Sequence, residues 1–161
     1  MKSILVTGGA GYIGSHVCKL LAQNGYLPVT YDNLKEGHEW AVKWGPFVRG
    51  DIRDSKLLLE TFQKYKSQAV VHLAALTYVG DSVKDPATYY DNNVTGSLSL
   101  LDAMRKAGVD RIIFSSSCCI FGNPETMPLT ENLPKNPLNP YGQTKLAIEN
   151  VFSDFAKAYG L

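Results

Sequence analysis

The tightest constraint on this chain lies in its first fourteen residues. There the apolar run Ile4-Leu5-Val6 stops at Thr7-Gly8-Gly9-Ala10-Gly11 and reopens at Tyr12-Ile13-Gly14 as an amphipathic segment. Branched apolar residues without alternation suit a parallel strand covered on both faces. Ile13, Val17, Leu20 and Leu21 then recur at helical spacing, so the local order is strand, tight turn, helix. A side chain at Gly8 or Gly11 would obstruct an anion approaching the turn, and one at Gly14 would hold the helix away from the strand. The first free N–H groups of the helix then face that anion.

A bare Gly-x-Gly-x-x-Gly string occurs by chance, so its surroundings decide what it means. A second apolar segment, residues 27–31, ends in Asp32, 18 residues after Gly14 and near the roughly 20 expected for an acid on an adenosine ribose. A carboxylate there accepts a hydrogen bond from a 2′-hydroxyl and repels a 2′-phosphate. The pattern predicts NAD rather than NADP. It also predicts an α/β fold, a Rossmann-type doubly wound parallel sheet with residues 1–161 as one NAD-binding domain.

The 161 residues suffice for one domain with a sizeable core and are too few for two ordinary ones. A net charge of +1 lacks the positive field that nucleic acid or an acidic membrane surface demands, so neither partner is expected. No apolar run approaches the roughly 20 residues of a membrane span, and the first one is broken at Thr7-Gly8, unlike a signal peptide. Cys18, Cys118 and Cys119 form no CxxC pair and no metal-ligand spacing, so no metal is expected and a reducing cytoplasm fits best. His72, inside an apolar run, reads as a hydrogen-bonded core histidine rather than a ligand.

Further along, residues 33–37 read as a loop under the adenosine half of the cofactor, and Phe47-Val48-Arg49 as a third strand. At its end, Asp51 either meets adenine or caps the helix that begins near Ser55. That helix carries Leu57, Leu58, Thr61, Phe62 and Tyr65 on one stripe. Residues 68–74 read as a fourth strand buried on both faces, closing in the small Leu73-Ala74-Ala75 that lets a cofactor pass close to the backbone. Residues 86–107 read as one long helix with Leu98, Leu101, Ala103 and Met104 inward and Gly108 past its end. Asn92 and Asn93 are poor helix formers. Either one of them is wanted for hydrogen bonding or both lie on an exposed polar face.

A fifth strand, residues 111–115, runs into Ser115-Ser116-Ser117, small polar residues at the strand end where such sheets place reactive groups. Residues 121–140 show no period and hold five prolines, which reads as a binding loop. A last helix, residues 141–159, buries Leu146, Ile148, Val151, Phe152 and Phe155. Tyr141 and Lys145 share one face of it. A YxxxK pair is common on solvated surfaces. Here the glycine fingerprint, the serines and the loop bring it to one sheet edge, where a fixed ammonium and a cationic nicotinamide favour the phenolate of a general base.

Taken together, the strings around Gly8 to His16, Tyr31-Asp32-Asn33-Leu34, Gly50-Asp51-Ile52-Arg53-Asp54, His72-Leu73-Ala74-Ala75-Leu76, Tyr89-Tyr90-Asp91-Asn92-Asn93-Val94, Phe114-Ser115-Ser116-Ser117 and Asn139-Pro140-Tyr141-Gly142-Gln143-Thr144-Lys145 resemble the extended short-chain dehydrogenase/reductase family. The likeness covers essentially the whole chain. It implies NAD-dependent epimerisation at carbon 4 of a UDP-hexose through a 4-keto sugar, with the proton of the 4-hydroxyl removed and the hydride lent and returned. Neighbouring members act on UDP-pentoses or UDP-uronates. An NAD-binding fragment without turnover is the reading from another class. By this resemblance Ser117 bridges the sugar hydroxyl and the tyrosine, Tyr141 is the acid/base, and Lys145 lowers its pKa and holds the nicotinamide ribose. Tyr12, Ile13, Asp32, Asn33, Asp51, Ile52, Leu73, Ala74, Ala75, Asn92 and Ser115 are implied NAD contacts, beside the turn at Gly8, Gly11 and Gly14. A UDP-sugar substrate and a homodimer of the complete protein are implied as partners.

Two departures bear on the sugar. Members read Ala-Thr-Val-Tyr-Gly after the serines, whereas this chain has Cys118-Cys119-Ile120-Phe121-Gly122, which removes a hydroxyl and a phenol from the sugar's surroundings. Thr77 stands where several members carry a lysine toward the pyrophosphate. Members also run on for about as many residues again, so the chain is expected to be an amino-terminal portion, with its fifth strand at the sheet edge.

Overall fold

The computed structural model describes residues 1–161. Its parallel sheet has the strand order β3-β2-β1-β4-β5. The strands are β1 (Lys2–Thr7), β2 (Tyr26–Asp32), β3 (Phe47–Arg49), β4 (Ala69–His72) and β5 (Ile112–Phe114). This is the expected doubly wound order, with the reversal of direction between β1 and β4 and with β5 at one edge. Helices α1 (Tyr12–Gln23) and α2 (Ser55–Tyr65) make the first crossovers. Registered neighbours Leu5, Val29 and Val70 point to one face, where Leu58 and Phe62 of α2 and Leu100, Leu101 and Met104 of a later helix enclose them. Burial of this continuous apolar set supplies the main stabilisation.

On the other face α1 approaches through its smallest side chains. Gly14 and Cys18 are buried there, and Cys18 meets Thr30 of β2. Ile13 and Leu20, two of the four apolar residues that mark the helical period, are exposed, because close contact selects small residues rather than large ones. That face is uncovered beyond the reach of α1. Val71 is half-buried and Ile113 exposed, so β4 alternates in burial instead of being enclosed on both sides, and it ends at His72 rather than at Ala74.

The stretch expected as one helix over 86–107 is helical throughout but not uniform. Helix α4 (Pro86–Tyr89) follows a short α3 (Val79–Lys84) that the sequence pattern does not reveal. A π-helical turn, Tyr90–Thr95, then joins α4 to α5 (Gly96–Ala107). Leu98, expected inward, is exposed, and Leu100 takes a core place. The π turn carries Asp91, Asn92 and Asn93. After β5, a 3₁₀ turn at Cys118–Phe121 leads through an irregular loop to α6 (Pro140–Tyr159), whose first turn is capped by Asn139. No helix is long and apolar enough to cross a membrane.

One polar residue at the centre of the sheet has its protonation fixed by its neighbours. The Ser97 hydroxyl donates to the carbonyl of Asn93 at 2.6 Å, so it can only accept from Nε2 of His72 at 2.9 Å. Nδ1 then carries the lone pair and accepts from the Thr7 hydroxyl at 2.7 Å. The Thr7 oxygen is itself occupied by the N–H groups of Leu73 and Ala74. The neutral tautomer is satisfied and a second ring proton is not. Burial, with a smaller contribution from the Lys145 charge, pushes the His72 pKa down to about 3.

Between pH 3 and the ordinary value near 6.5, the unfolded chain binds a proton that the native chain refuses. The contribution of His72 to stability is therefore complete above pH 6.5 and shrinks as the pH falls. Lowering the pH from 7 to 5 should cost about 2 kcal/mol through this group. Urea unfolding at the two pH values is expected to show that loss in the unaltered chain, and a smaller one in His72→Gln, which cannot ionise.

Candidate functional site

Above the carboxyl ends of β1, β2 and β4 lies a cleft, at the point where the strand order reverses. Gly8, Gly11, Asp32, Asn33, Ile52, Leu73, Ala74, Ala75 and Asn92 all face it, as expected for residues on a dinucleotide. The glycines divide the work differently from the simplest expectation. A Cβ on Gly14 would lie 2.0 Å from the carbonyl oxygen of Gly8, so this glycine does bring the helix onto the turn. Gly8, with φ of +70°, would drive its Cβ into the backbone of Leu73 and Ala74; its absence seats the turn against the end of β4 rather than clearing a path for an anion. Gly11 serves the second purpose. A Cβ there would meet only the Gly8 oxygen, at 3.3 Å, and otherwise enter the open cleft.

Asp32 is buried at the end of β2, and its oxygens accept from the N–H groups of Ala10 at 3.0 Å and Leu34 at 2.8 Å. Two backbone donors thus aim one carboxylate into the cleft. Tyr12 and Ile13 lie outside it, exposed on the first turn of α1. Asp51, expected on the cofactor, does not line the cleft itself; it accepts at 3.4 Å from Asn33, which does. It does not cap α2. That role falls to Asp54, which accepts from the N–H of Leu57, while Asp51 closes a turn on Arg53. Arg53 beside it holds the Asp51 carboxyl far below the usual range.

At the far end of the cleft, Leu76 both lines the wall and packs on Tyr141. The approach of α6 is close because Gly142 has no side chain: a Cβ would sit 2.8 Å from the Cys119 carbonyl oxygen. Three residues one helical turn apart then engage the three serines. Ser117 lies beside the Tyr141 phenol, the Lys145 ammonium donates to the carbonyl of Ser115 at 2.7 Å, and the Ser116 hydroxyl donates to Glu149 at 2.6 Å. Lys145 is 2% exposed, lies 4.7 Å from the centre of the Phe114 ring and 5.9 Å from that of Tyr141, and burial lowers its pKa to about 8. Burial pushes the Tyr141 phenol up, and the hydrogen bond of Ser117 pulls the other way. One of the three N–H donors of the Lys145 ammonium is used on Ser115.

Asn93 ties the cleft to this helix. Its amide accepts from the N–H of Leu76 at 2.8 Å and from Asn92 at 3.0 Å, and donates to the Leu76 carbonyl and to Thr144 at 3.1 Å each. All four hydrogen-bonding positions of the amide are used. Thr144 passes its own proton to the carbonyl of Tyr141. The two asparagines have separate duties, since Asn92 faces the cleft and Asn93 is 1% exposed. Ser82 of α3, fully buried, accepts from the N–H of Tyr141 and was not foreseeable without knowing that α3 packs there. Two asparagines inside a helix are the sequence signal that pointed at Asn93; nothing comparable marks Ser82 or Thr144.

An open sheet with a glycine turn, an acid at the end of its second strand and a YxxxK helix beside the cleft defines a dinucleotide-binding protein of the doubly wound class. The chain belongs to the NAD dependent epimerase/dehydratase family, which matches residues 4–161. The UDP-glucose 4-epimerase of Rhizobium meliloti (strain 1021) is 52% identical over 160 residues, covering 99% of this chain and 49% of the relative. The structure is similar, with a TM-score of 0.98 and 56% identity, to UDP-glucose 4-epimerase from Brucella ovis in complex with NAD, across all of this chain and 50% of that one. It is also similar to the enzyme of Thermotoga maritima with UDP-glucose, with a TM-score of 0.95 and 39% identity over 99% of this chain and 52% of the other. The chain spans about half the length of the curated relatives it matches.

Replacing Asn93 with alanine strands the backbone groups of Leu76 in the interior and should cost about 3 kcal/mol. Asn92→Ala, at the half-buried wall, should cost under about 1 kcal/mol. Urea denaturation of the two variants beside the unaltered chain measures both.

Proposed function

We propose that this chain carries the NAD-binding and proton-transfer half of an epimerase that inverts carbon 4 of UDP-glucose and UDP-galactose. The observation that carries this reading is a cleft lined by Asp32 and the glycine turn, whose wall at Leu76 packs on Tyr141, the residue that has Ser117 and Lys145 beside it. The residues present fit the cofactor. The N-terminus of α1 has no side-chain cap and no acid in its first turn, so its free N–H groups remain available to a pyrophosphate. Asp32 is an acceptor at the end of β2, suited to a ribose diol and opposed to a 2′-phosphate.

When bound, NAD supplies the hydride acceptor for carbon 4 and returns the hydride in the second half of the reaction. The residues of the chain handle the proton. Tyr141 removes it from the 4-hydroxyl and gives it back, with Ser117 bridging the two oxygens. Burial favours the neutral phenol, so the base form needs positive charge brought near it. Lys145 is the ammonium placed to provide that charge, and a pKa near 8 leaves it mostly protonated at neutral pH. Cys119 packs against the Tyr141 cluster in place of the family's threonine, which points to a more apolar surround for the sugar. Related enzymes that act on UDP-pentoses or UDP-uronates share this chemistry, and product analysis distinguishes them.

Calorimetric titration of the chain is expected to show NAD binding more tightly than NADP, with Asp32→Ala narrowing the gap. Equal affinities in the unaltered chain would mean that Asp32 is not on the ribose. In an active protein containing this chain, Tyr141→Phe should lower turnover by ~10² to 10⁴ while NAD stays bound, and Ser117→Ala should cost less. Unchanged turnover in Tyr141→Phe would place proton transfer on another group.

A further inference from the structure

We propose that Arg53 is a positioning residue that makes the adenine end of the cleft selective for a 6-amino purine, by presenting Asp51 as a fixed acceptor whose one exchangeable contact is with Asn33. This rests on the dinucleotide reading of the cleft and adds a determinant of base specificity to it.

The carboxylate of Asp51 has about four lone-pair positions, and all are occupied. One oxygen accepts from the backbone N–H of Arg53 at 3.0 Å and from its Nε at 2.8 Å; the other accepts from Nη2 at 2.8 Å and from the Asn33 amide at 3.4 Å. Three of the four donors belong to Arg53, in the parallel geometry that makes guanidinium–carboxylate pairs directional. The fourth is the longest and comes from a residue of the cleft wall.

Arg53 is itself fixed from the other side, since Nη1 donates to Asp91 in the π turn, next to Asn92. The guanidinium therefore spans the segment that carries Ile52 and the turn that carries Asn92, both of which face the cleft. Removing it frees Asp51 to rotate, and also uncouples the two walls.

The Asn33 contact shows what kind of group Asp51 accepts from the cleft side: a planar amide N–H. The exocyclic amine of adenine is a donor of the same type, and taking over a 3.4 Å contact displaces little. A 6-oxo purine instead turns an acceptor toward an acceptor-only group. Because Arg53 keeps Asp51 ionised, the carboxylate cannot relieve that clash by taking up a proton.

The test titrates NAD and nicotinamide hypoxanthine dinucleotide, which differ at the purine 6-position, into the 161-residue chain. The unaltered chain is expected to prefer NAD by about tenfold, the scale of one charge-assisted hydrogen bond. Arg53→Ala should bring that preference to about twofold or less, with the urea midpoint shifted only modestly because the Arg53 side chain is solvent-accessible. Arg53→Lys, which cannot form the fork, and Asp91→Asn, which releases one arm, should fall between the two. These variants carry the test if Arg53→Ala does not fold. An unchanged preference in the variants, with NAD still bound, would overturn the role of Arg53 and leave the dinucleotide reading standing. Equal binding of both dinucleotides to the unaltered chain would overturn the specificity, and binding of neither would remove the dinucleotide reading as well.

Discussion

A line of buried hydrogen bonds through His72 and Asn93 holds the functional parts of this chain in register. It begins at Thr7, the last residue of β1, passes through the neutral imidazole at the end of β4 and the Ser97 hydroxyl, and reaches the backbone of Asn93. The Asn93 amide continues it to Thr144 and so to the carbonyl of Tyr141. No buried side-chain nitrogen or oxygen lacks a partner. In a low-dielectric interior such a network is stabilising when complete and costly when one member is lost, which makes it a device for fixing geometry. The glycine turn and the helix of Tyr141 are set against one another through it.

The candidate catalytic end depends on a second piece of matching geometry. Tyr141, Lys145 and Glu149 repeat every four residues along α6; Lys145 and Glu149 hydrogen-bond Ser115 and Ser116, and Ser117 lies beside the Tyr141 phenol. The absence of a side chain at Gly142 permits this close approach. Glu149 reaches Lys135 as well, which fastens the irregular loop before α6 to the same helix. Burial then sets the charges: it depresses the Lys145 ammonium and raises the Tyr141 phenol, while the carbonyl of Ser115 accepts one of the ammonium's N–H groups.

Local chemistry made the strands, the glycine turn, Asp32 and the Tyr141–Lys145 pair readable without coordinates. The turn needs residues without side chains and buried parallel strands need branched apolar ones, so composition and order coincide there. The cleft residues 73–75 were legible for the same reason, since small residues at the end of a central strand have few other uses. Where expectation and structure part, the cause is a neighbour distant in sequence. Ile13 and Leu20 are exposed because α1 docks through Gly14 and Cys18. Asp54 rather than Asp51 caps α2 because Arg53 claims Asp51.

The sequence by itself determined the class of fold, the family and most of the cleft wall, because each rests on spacing within a single segment. Only the tertiary structure decided that Asn93 is the tie and Asn92 the wall, that His72 is held neutral, that Asp51 is saturated by Arg53, and that Lys145 is engaged by Ser115. Each of these depends on which polar groups meet across tens of residues and on how far water is excluded from them. A hydrogen bond or a shifted pKa belongs to the pair and its surroundings, and the order of residues along the chain does not contain it.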